Sequence, residues 1–233
     1  MFYPYGYGYG LDPTIMILIP AILFTIYAQF KVSSTTSKYL RVNSSKGYTG
    51  EQVARTILNS NGLNNVSIEM VTGHLTDHYD PRSNTVRLSQ DIYYGTSITS
   101  ISVAAHECGH AIQHAKGYVP LNFRSALVPI VNFSSNISWL LIALGFIMRG
   151  PFLEIGIILF AASVLFQIVT LPVEFNASSR AIVQLNNLGI VDKRESNQSR
   201  KVLTAAALTY VAAALTSVLQ LLRLLAIANR DND

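Results

Sequence analysis

The stretch Ala105-His106-Glu107-Cys108-Gly109-His110 has the form H-E-x-x-H. Two histidines four positions apart in a helix lie on one face, one turn above the other, so both imidazoles can bind one zinc ion. The glutamate directly after the first histidine then lies beside the metal, where it can accept a proton from a water. The motif therefore predicts a zinc site with His106 and His110 as ligands and Glu107 as general base.

The residues around the motif predict a helix from about Ser97 to Lys116. Thr96 or Ser97 is a suitable N-cap, and Gly117 is a suitable residue just beyond the helix C-terminus. The other positions are mostly small or apolar, as expected of a helix packed in a core. The alternative is an amphipathic helix whose two histidines are hydrogen-bonded and bind no metal.

The composition indicates a membrane protein. Of the 233 residues, 50% are hydrophobic and only 13% are charged, whereas about 25% of residues in a typical soluble protein are charged. The formal net charge of +4 is spread over several segments, which argues against a nucleic-acid partner. The single cysteine, Cys108, excludes an internal disulfide. Its position within the motif favours a small buried side chain, with a reactive thiol as the alternative.

Four apolar stretches predict about four transmembrane helices. The first contains no charged residue, has the length that a bilayer requires, and follows a segment without basic residues. These features favour an uncleaved anchor over a signal peptide. The predicted spans are 13–30, 125–148, 152–173 and 203–228, with a flexible Tyr/Gly-rich tail over 1–12 and a tight turn at Arg149-Gly150-Pro151.

The polar segment 31–124 predicts a small zincin-like domain. A helix that begins near Thr49 and ends near Gly62 is followed by strand-like runs. These runs cover 66–71, 74–80 and 84–90. The predicted fold class is therefore an α-helical membrane protein with about four transmembrane helices and a small α+β zincin-like catalytic domain.

In zincin domains an edge strand lies along the cleft and can bind an extended peptide by strand addition. We expect the strand that contains Thr85, Val86, Arg87 and Leu88 to have this position. An ordinary sheet strand without substrate contact is the alternative.

The distribution of lysine and arginine predicts the orientation in the membrane. Segment 31–124 contains nine of these residues and segment 174–202 contains five, whereas the tail over 1–12 contains none. The positive-inside rule then places both large segments in the cytoplasm and the N-terminus outside. Two predicted spans separate the two segments, which is the number that puts both on one side.

A catalytic zinc requires a third protein ligand. His114 shares the helix face of the motif, but it lies roughly 12 Å from His106 along the helix axis, too far for one ion. Glu174 is the better candidate because it follows the third span on the same side of the membrane as the motif. A capping or solvated glutamate is the alternative.

Three motifs together resemble the YugP-type neutral zinc metallopeptidases of bacterial membranes. They are His-Tyr-Asp-Pro (78–81) before Thr-Val-Arg-Leu-Ser (85–89), Ala-Ala-His-Glu-Cys-Gly-His-Ala (104–111), and Leu-Pro-Val-Glu-Phe-Asn-Ala-Ser-Ser-Arg-Ala (171–181). The resemblance covers nearly the whole chain. This family is distantly similar to the HtpX-type membrane proteases and the CAAX prenyl proteases, which share the H-E-x-x-H helix and a downstream Glu-x-x-x-Asp helix.

The resemblance implies a multi-pass protein of the bacterial cell membrane that binds one zinc ion. His106, His110 and Glu174 would be the ligands and Glu107 the general base, as in gluzincin-like endopeptidases. The chain departs from the HtpX-type pattern at Ser178, where an aspartate that orients a ligand histidine is usual. Candidates to replace this aspartate are Asp77, Asp80 and Asn176.

The expected reaction is hydrolysis of peptide bonds in membrane or membrane-proximal proteins by a zinc-activated water. Arg180 and Tyr210 are candidates for the donor that stabilises the oxyanion or contacts the substrate. Arg180 is equally suited to pair with a carboxylate or a lipid phosphate, and a structural role is the favoured interpretation of Tyr210. The expected partners are a protein or peptide substrate and membrane lipid, and the sequence leaves the oligomeric state open.

Two other functions compete with this reading. A membrane scaffold that keeps zinc only for stability has no use for Glu107, which argues against it. A small transporter is suggested by the polar residues of the second span, but the spans contain no repeat and no charged pair in mid-membrane.

Overall fold

The computed structural model describes residues 13–74, 76–148 and 151–232. The predicted tail over 1–12 and the first two residues of the predicted turn at 149–151 lie outside the described residues. In chain order, a 3-10 turn at Pro13–Leu18 precedes α1 (Ile19–Leu40), α2 (Gly50–Ser60), β1 (Ser67–Val71), β2 (His78–Asp80), β3 (Thr85–Ser89), α3 (Gln90–Tyr93), α4 (Ile98–Ala115), α5 (Val119–Met148), α6 (Phe152–Asn187) and α7 (Lys193–Asn232).

Four helices in the described part of the chain are long and apolar enough to cross a membrane. They are Pro13–Leu40, Val119–Met148, Phe152–Asn187 and Lys193–Asn229. Each contains one of the predicted spans and continues beyond it. The largest extension is in α6, which passes Pro172 without a break and carries Glu174 within the same helix. The first residues of the predicted segment 174–202 therefore continue a membrane helix. The predicted fold class is confirmed by these helices together with a small mixed sheet.

The sheet has three strands in the order β1-β3-β2. β1 is parallel to β3, and β2 is antiparallel to it with Tyr79 opposite Val86. The prediction that Thr85, Val86, Arg87 and Leu88 form an edge strand is wrong, because β3 is the central strand and pairs on both sides. Its burial gives the physical reason: Val86 and Leu88 are fully buried on a strand that is covered by helices. The two edge strands are β1 and β2.

α4 is the central helix of the main hydrophobic core. Of its 18 residues, 13 are buried, so it is surrounded by other elements on most sides. The core joins residues of α2, β3, α4 and α6, such as Ile57, Leu88, Ile101 and Leu185. α2 begins with the capping box formed by Thr49 and Gln52, close to the predicted start.

Candidate metal centre

α4 carries the H-E-x-x-H motif and ends close to where the sequence predicts. The Ser97 hydroxyl accepts a hydrogen bond from the backbone N–H of Ser100, and Gly117 follows the helix with a φ of 61°. Midway along α4, Gly109 faces the backbone of α6. A Cβ added at Gly109 would lie 2.6 Å from the carbonyl oxygen of Ala177. The missing side chain therefore lets α4 and α6 approach closely beside the motif.

This approach brings His106 and His110 of α4 together with Glu174 of α6. Their candidate ligand atoms all lie within 4.8 Å of one another. The Oε2 atom of Glu174 is 3.3 Å from Nε2 of His106 and 3.6 Å from Nε2 of His110. The Glu174 side chain is only 3% exposed. Three potential metal ligands thus converge on one buried point.

A chain of hydrogen bonds fixes the orientation and tautomer of His110. The Arg180 side chain can only donate, and its Nε donates to Oδ1 of Asn176 at 2.7 Å. The same Oδ1 accepts from Nε2 of Gln113 at 3.0 Å, and this Nε2 also donates to the Val173 carbonyl. Oε1 of Gln113 is therefore the atom 3.0 Å from Nδ1 of His110. Nδ1 must therefore carry a proton, and Nε2 is the ring nitrogen that faces Glu174.

Ser178 supports the other histidine. Its hydroxyl lies 3.1 Å from Nδ1 of His106, the position in which a partner orients a metal-binding imidazole. Ser178 is one helical turn after Glu174, so both side chains lie on the same face of α6. The serine at the site of the expected aspartate therefore contacts the histidine itself.

The three residues considered as replacements for that aspartate have other contacts. Asp77 accepts hydrogen bonds from the backbone N–H and hydroxyl of Ser89, and burial raises the pKa of the Asp77 carboxyl. Asp80 pairs with Arg87 at 3.0 Å. Asn176 does belong to the centre, but it acts on His110 through Gln113.

The two carboxylate oxygens of Glu174 have different surroundings. Oε1 lies 3.2 Å from Nη1 of Arg124. Oε2 is buried and has no hydrogen-bond partner among the described residues. It lies 3.3 Å from Nε2 of His106 and 3.6 Å from Nε2 of His110. A buried carboxylate oxygen requires a cationic or hydrogen-bonding partner, and a metal ion bound by Oε2 and the two Nε2 atoms would be such a partner. Two imidazoles and one carboxylate are the ligand set of a catalytic zinc site, so the residues present fit zinc.

Glu107 lies beside this point on α4. Its side chain is 7% exposed, and burial raises the pKa of its carboxyl group, although the nearby His106 and His110 oppose this shift. A carboxyl group with a raised pKa is suited to both accept and return a proton.

Two cavities meet at the centre. One, of about 260 Å³, lies among α1, α4, α6 and α7 and is lined by residues such as Val32, Leu203 and Ala206. The other, of about 270 Å³, is lined by the β2 segment and α5. Five residues line both cavities: Asp77, His106, Glu107, Glu174 and Tyr210. The centre is therefore open to a ligand from two sides.

Some predicted site residues are not at the centre. Arg180 lines neither cavity; besides its bond to Asn176 it lies over the Tyr118 ring, with its Cζ 5.9 Å from the ring centroid. His114 contacts the Tyr79 hydroxyl at 2.9 Å instead of the ligands. The predicted contact residues Thr85, Val86, Arg87 and Leu88 line neither cavity.

Cys108 is fully buried, with its Sγ 3.6 Å from the Ala54 carbonyl oxygen. Burial raises the pKa of the Cys108 thiol. This environment favours the prediction of a small core residue over that of a reactive thiol.

The sequence reasoning missed Gln113 and Arg124. Gln113 carried a local signal, because it lies three residues after His110 on the same helix face. Arg124 carried none, because it is 50 positions from Glu174 and on a different helix.

The helix, the ligand set and the adjacent glutamate have the arrangement of H-E-x-x-H zinc peptidases. Comparison of sequences agrees: residues 14–229 match the family described as "Putative neutral zinc metallopeptidase", and the chain belongs to this family. It is 50% identical over 220 residues to the "Putative membrane protease YugP" of Bacillus subtilis (strain 168). The aligned region covers 94% of this chain and 98% of the relative. The predicted resemblance is thereby confirmed. No solved structure matches the chain.

Proposed function

We propose that this protein is a zinc-dependent endopeptidase that cleaves proteins or peptides in or beside the bacterial cell membrane. His106, His110 and Glu174 hold one zinc ion in this proposal, as in gluzincins. The observation that carries it is the convergence of the buried Oε2 of Glu174 with the Nε2 atoms of His106 and His110 on one point. Membership of a zinc metallopeptidase family supports the choice of metal.

Each neighbour of the metal site has a defined task in the proposed reaction. Zinc, when bound, supplies a Lewis acid that lowers the pKa of a nucleophilic water and polarises the peptide carbonyl. Glu107 accepts the proton of that water and passes it to the leaving amine. Arg124 holds Oε1 of Glu174 and leaves Oε2 for the metal. Tyr210 lines both cavities beside Glu107 and is the candidate donor to the carbonyl oxygen as negative charge develops there.

The two cavities support a substrate at the membrane boundary. The cavity beside β2 offers a strand edge along which an extended peptide can pair. The other cavity lies between α1 and α7, which are both long enough to cross a membrane. A chain that passes the centre would therefore lie against the sheet on one side and among membrane helices on the other.

We place the centre on the cytoplasmic side, with the N-terminus outside. The distribution of lysine and arginine supports this orientation. The contact between α4 and α6 requires the motif and Glu174 to lie on one side of the membrane. In this proposal α5 crosses the membrane away from the motif and α6 crosses back, so that Glu174 can reach the motif.

The test is cleavage of casein by the detergent-purified chain with zinc, beside Glu107→Gln prepared identically. We expect the variant to lose activity by at least about 100-fold, because general-base catalysis contributes factors of this size. The variant should still hold zinc, since Glu107 is not a ligand. His114→Gln, which removes a histidine of the same helix outside the centre, should cleave like the wild type.

Equal cleavage by the wild type and Glu107→Gln would contradict the proposal and indicate a contaminating protease. Loss of zinc from Glu107→Gln would contradict the claim that Glu107 acts as the general base and is not a zinc ligand. Zinc binding without cleavage by any of the proteins would favour the scaffold alternative.

A further inference from the structure

A second candidate site lies away from the metal centre, between α1 and α7. There a groove of about 740 Å³ is lined by four cations, Lys31 and Lys38 of α1 and Arg200 and Lys201 of α7. No aspartate or glutamate of the described residues lines it. We call it the basic groove.

The four cations are exposed and lack ionic partners. None of them forms a salt bridge within the described parts of the chain. Glu195, an acidic residue in the first turn of α7, is occupied elsewhere: its carboxylate accepts hydrogen bonds from the backbone N–H groups of Ser45 and Asp192. Four like charges around one concavity repel one another, so an anion that enters it is stabilised.

Neutral hydrogen-bond donors accompany the charges. Asn197 and Thr204 also line the basic groove. Hydroxyl and amide groups beside lysine and arginine form a donor set that suits phosphate oxygens. The chemistry of the groove therefore points to a phosphate group.

The position of the groove points to a lipid as the source of that phosphate. On α1, Phe30 is 71% exposed and ends an apolar surface to which Leu23 and Ile26, 63% and 62% exposed, also belong. The cations begin at the next residue, Lys31. The apolar Leu208 lines the α7 side of the same groove. A boundary between apolar and charged surface on a membrane helix marks the level of the headgroups.

We propose that the basic groove binds the headgroup of an anionic phospholipid and thereby links α1 to α7. Basic pockets between membrane helices are suited to such headgroups, and each basic residue near the surface contributes a factor of roughly five in affinity. Because both helices supply cations, the bound lipid also stabilises their contact.

The test compares the full-length protein with a groove variant, Lys38→Gln/Arg200→Gln/Lys201→Gln. The control variant, Lys46→Gln/Lys116→Gln/Arg194→Gln, removes the same number of positive charges from exposed positions outside the groove. The detergent-solubilised proteins are titrated with phosphatidylglycerol, with phosphatidylcholine or with inorganic phosphate. Bound lipid is counted by native mass spectrometry, and the unfolding temperature is measured in parallel, also without lipid to verify folding.

We expect phosphatidylglycerol to bind the wild type and the control variant and to raise their unfolding temperatures. Binding to the groove variant should be weaker by on the order of 100-fold, because three contributing charges are lost. Phosphatidylcholine and inorganic phosphate should raise none of the unfolding temperatures.

Equal loss of binding in the two variants would overturn the proposal, because the attraction would then depend on total charge. A similar response to phosphatidylcholine would overturn the requirement for an anionic headgroup. Stabilisation by inorganic phosphate as strong as that by phosphatidylglycerol would assign the groove to a soluble phosphate compound instead.

Discussion

Gly109 and Gly145 each let two helix backbones approach closely, but their surroundings differ. A Cβ added at Gly109 would lie 2.6 Å from the Ala177 carbonyl oxygen, and one added at Gly145 would lie 2.6 Å from the Leu153 backbone nitrogen. Gly109 lies in the main core, where Cys108 and Ala177 are fully buried. Near Gly145, Ile147 remains 79% exposed.

The two contacts therefore have different consequences. The contact at Gly109 sets the distance between the histidines of α4 and Glu174 of α6. The contact at Gly145 joins α5 to α6 in the manner of small residues between membrane helices, far from the ligands. The comparison predicts that the candidate metal centre depends on the α4–α6 contact and not on the α5–α6 contact.

The largest expected effect comes from Gly109→Ala, compared with Gly145→Ala. Each substitution overpacks a helix contact, at a cost of about 1–3 kcal/mol in the free energy of unfolding. Only Gly109→Ala should also move Glu174 away from His106 and His110 and lower the zinc content of the purified protein. Zinc content and unfolding temperature are measured on both variants. Equal zinc contents would show that the α4–α6 distance does not control the centre.

A smaller effect is expected from Gln113→Leu. The substitution removes the acceptor that holds Nδ1 of His110 and replaces the amide by an apolar side chain of similar size. Loss of such a partner typically lowers metal affinity by about 10- to 100-fold. Competition with a chromophoric zinc chelator measures the affinity. An unchanged affinity would mean that the network through Asn176 and Arg180 serves packing alone.

The smallest effect is expected from Ser178→Ala. The Ser178 hydroxyl contacts His106 and has no second side-chain partner among the described residues. Gln113, in contrast, is held by two additional hydrogen bonds. We expect the zinc affinity to fall by less than it does in Gln113→Leu, in the same chelator competition. A larger loss than that of Gln113→Leu would reverse the ranking of the two histidine supports.

The parts of the fold that were predictable are those that depend on local sequence. Ser97 and Gly117 mark the ends of α4, and the apolar stretches mark the membrane helices, because capping and hydropathy act over a few neighbouring residues. The sheet order was not predictable in this way. β3 becomes central through its pairing with β1, and the sequence of a strand does not specify its partners.

Some residues of the candidate site were likewise predictable from local sequence, and others depend on how the helices pack. The spacing of His106 and His110 is a local helix property, and Glu174 was found by its place after a span. The contact of Arg124 with Glu174 depends on how α5 packs against α6, and the bond of Arg180 to Asn176 depends on the side-chain orientation within α6. The four-residue spacing of Asn176 and Arg180 is a local helix pattern, whereas the contact of Arg124 with Glu174 has no sequence pattern of its own.

The most direct test of the central claim is the zinc content of the purified chain, measured by elemental analysis beside Glu174→Gln and His114→Gln. We predict one zinc ion per chain in the wild type and in His114→Gln, and a strong loss in Glu174→Gln, because a neutral amide replaces the buried carboxylate ligand. Full zinc content in Glu174→Gln, or no zinc in a folded wild type prepared with added zinc, would contradict the claim that His106, His110 and Glu174 form the metal centre.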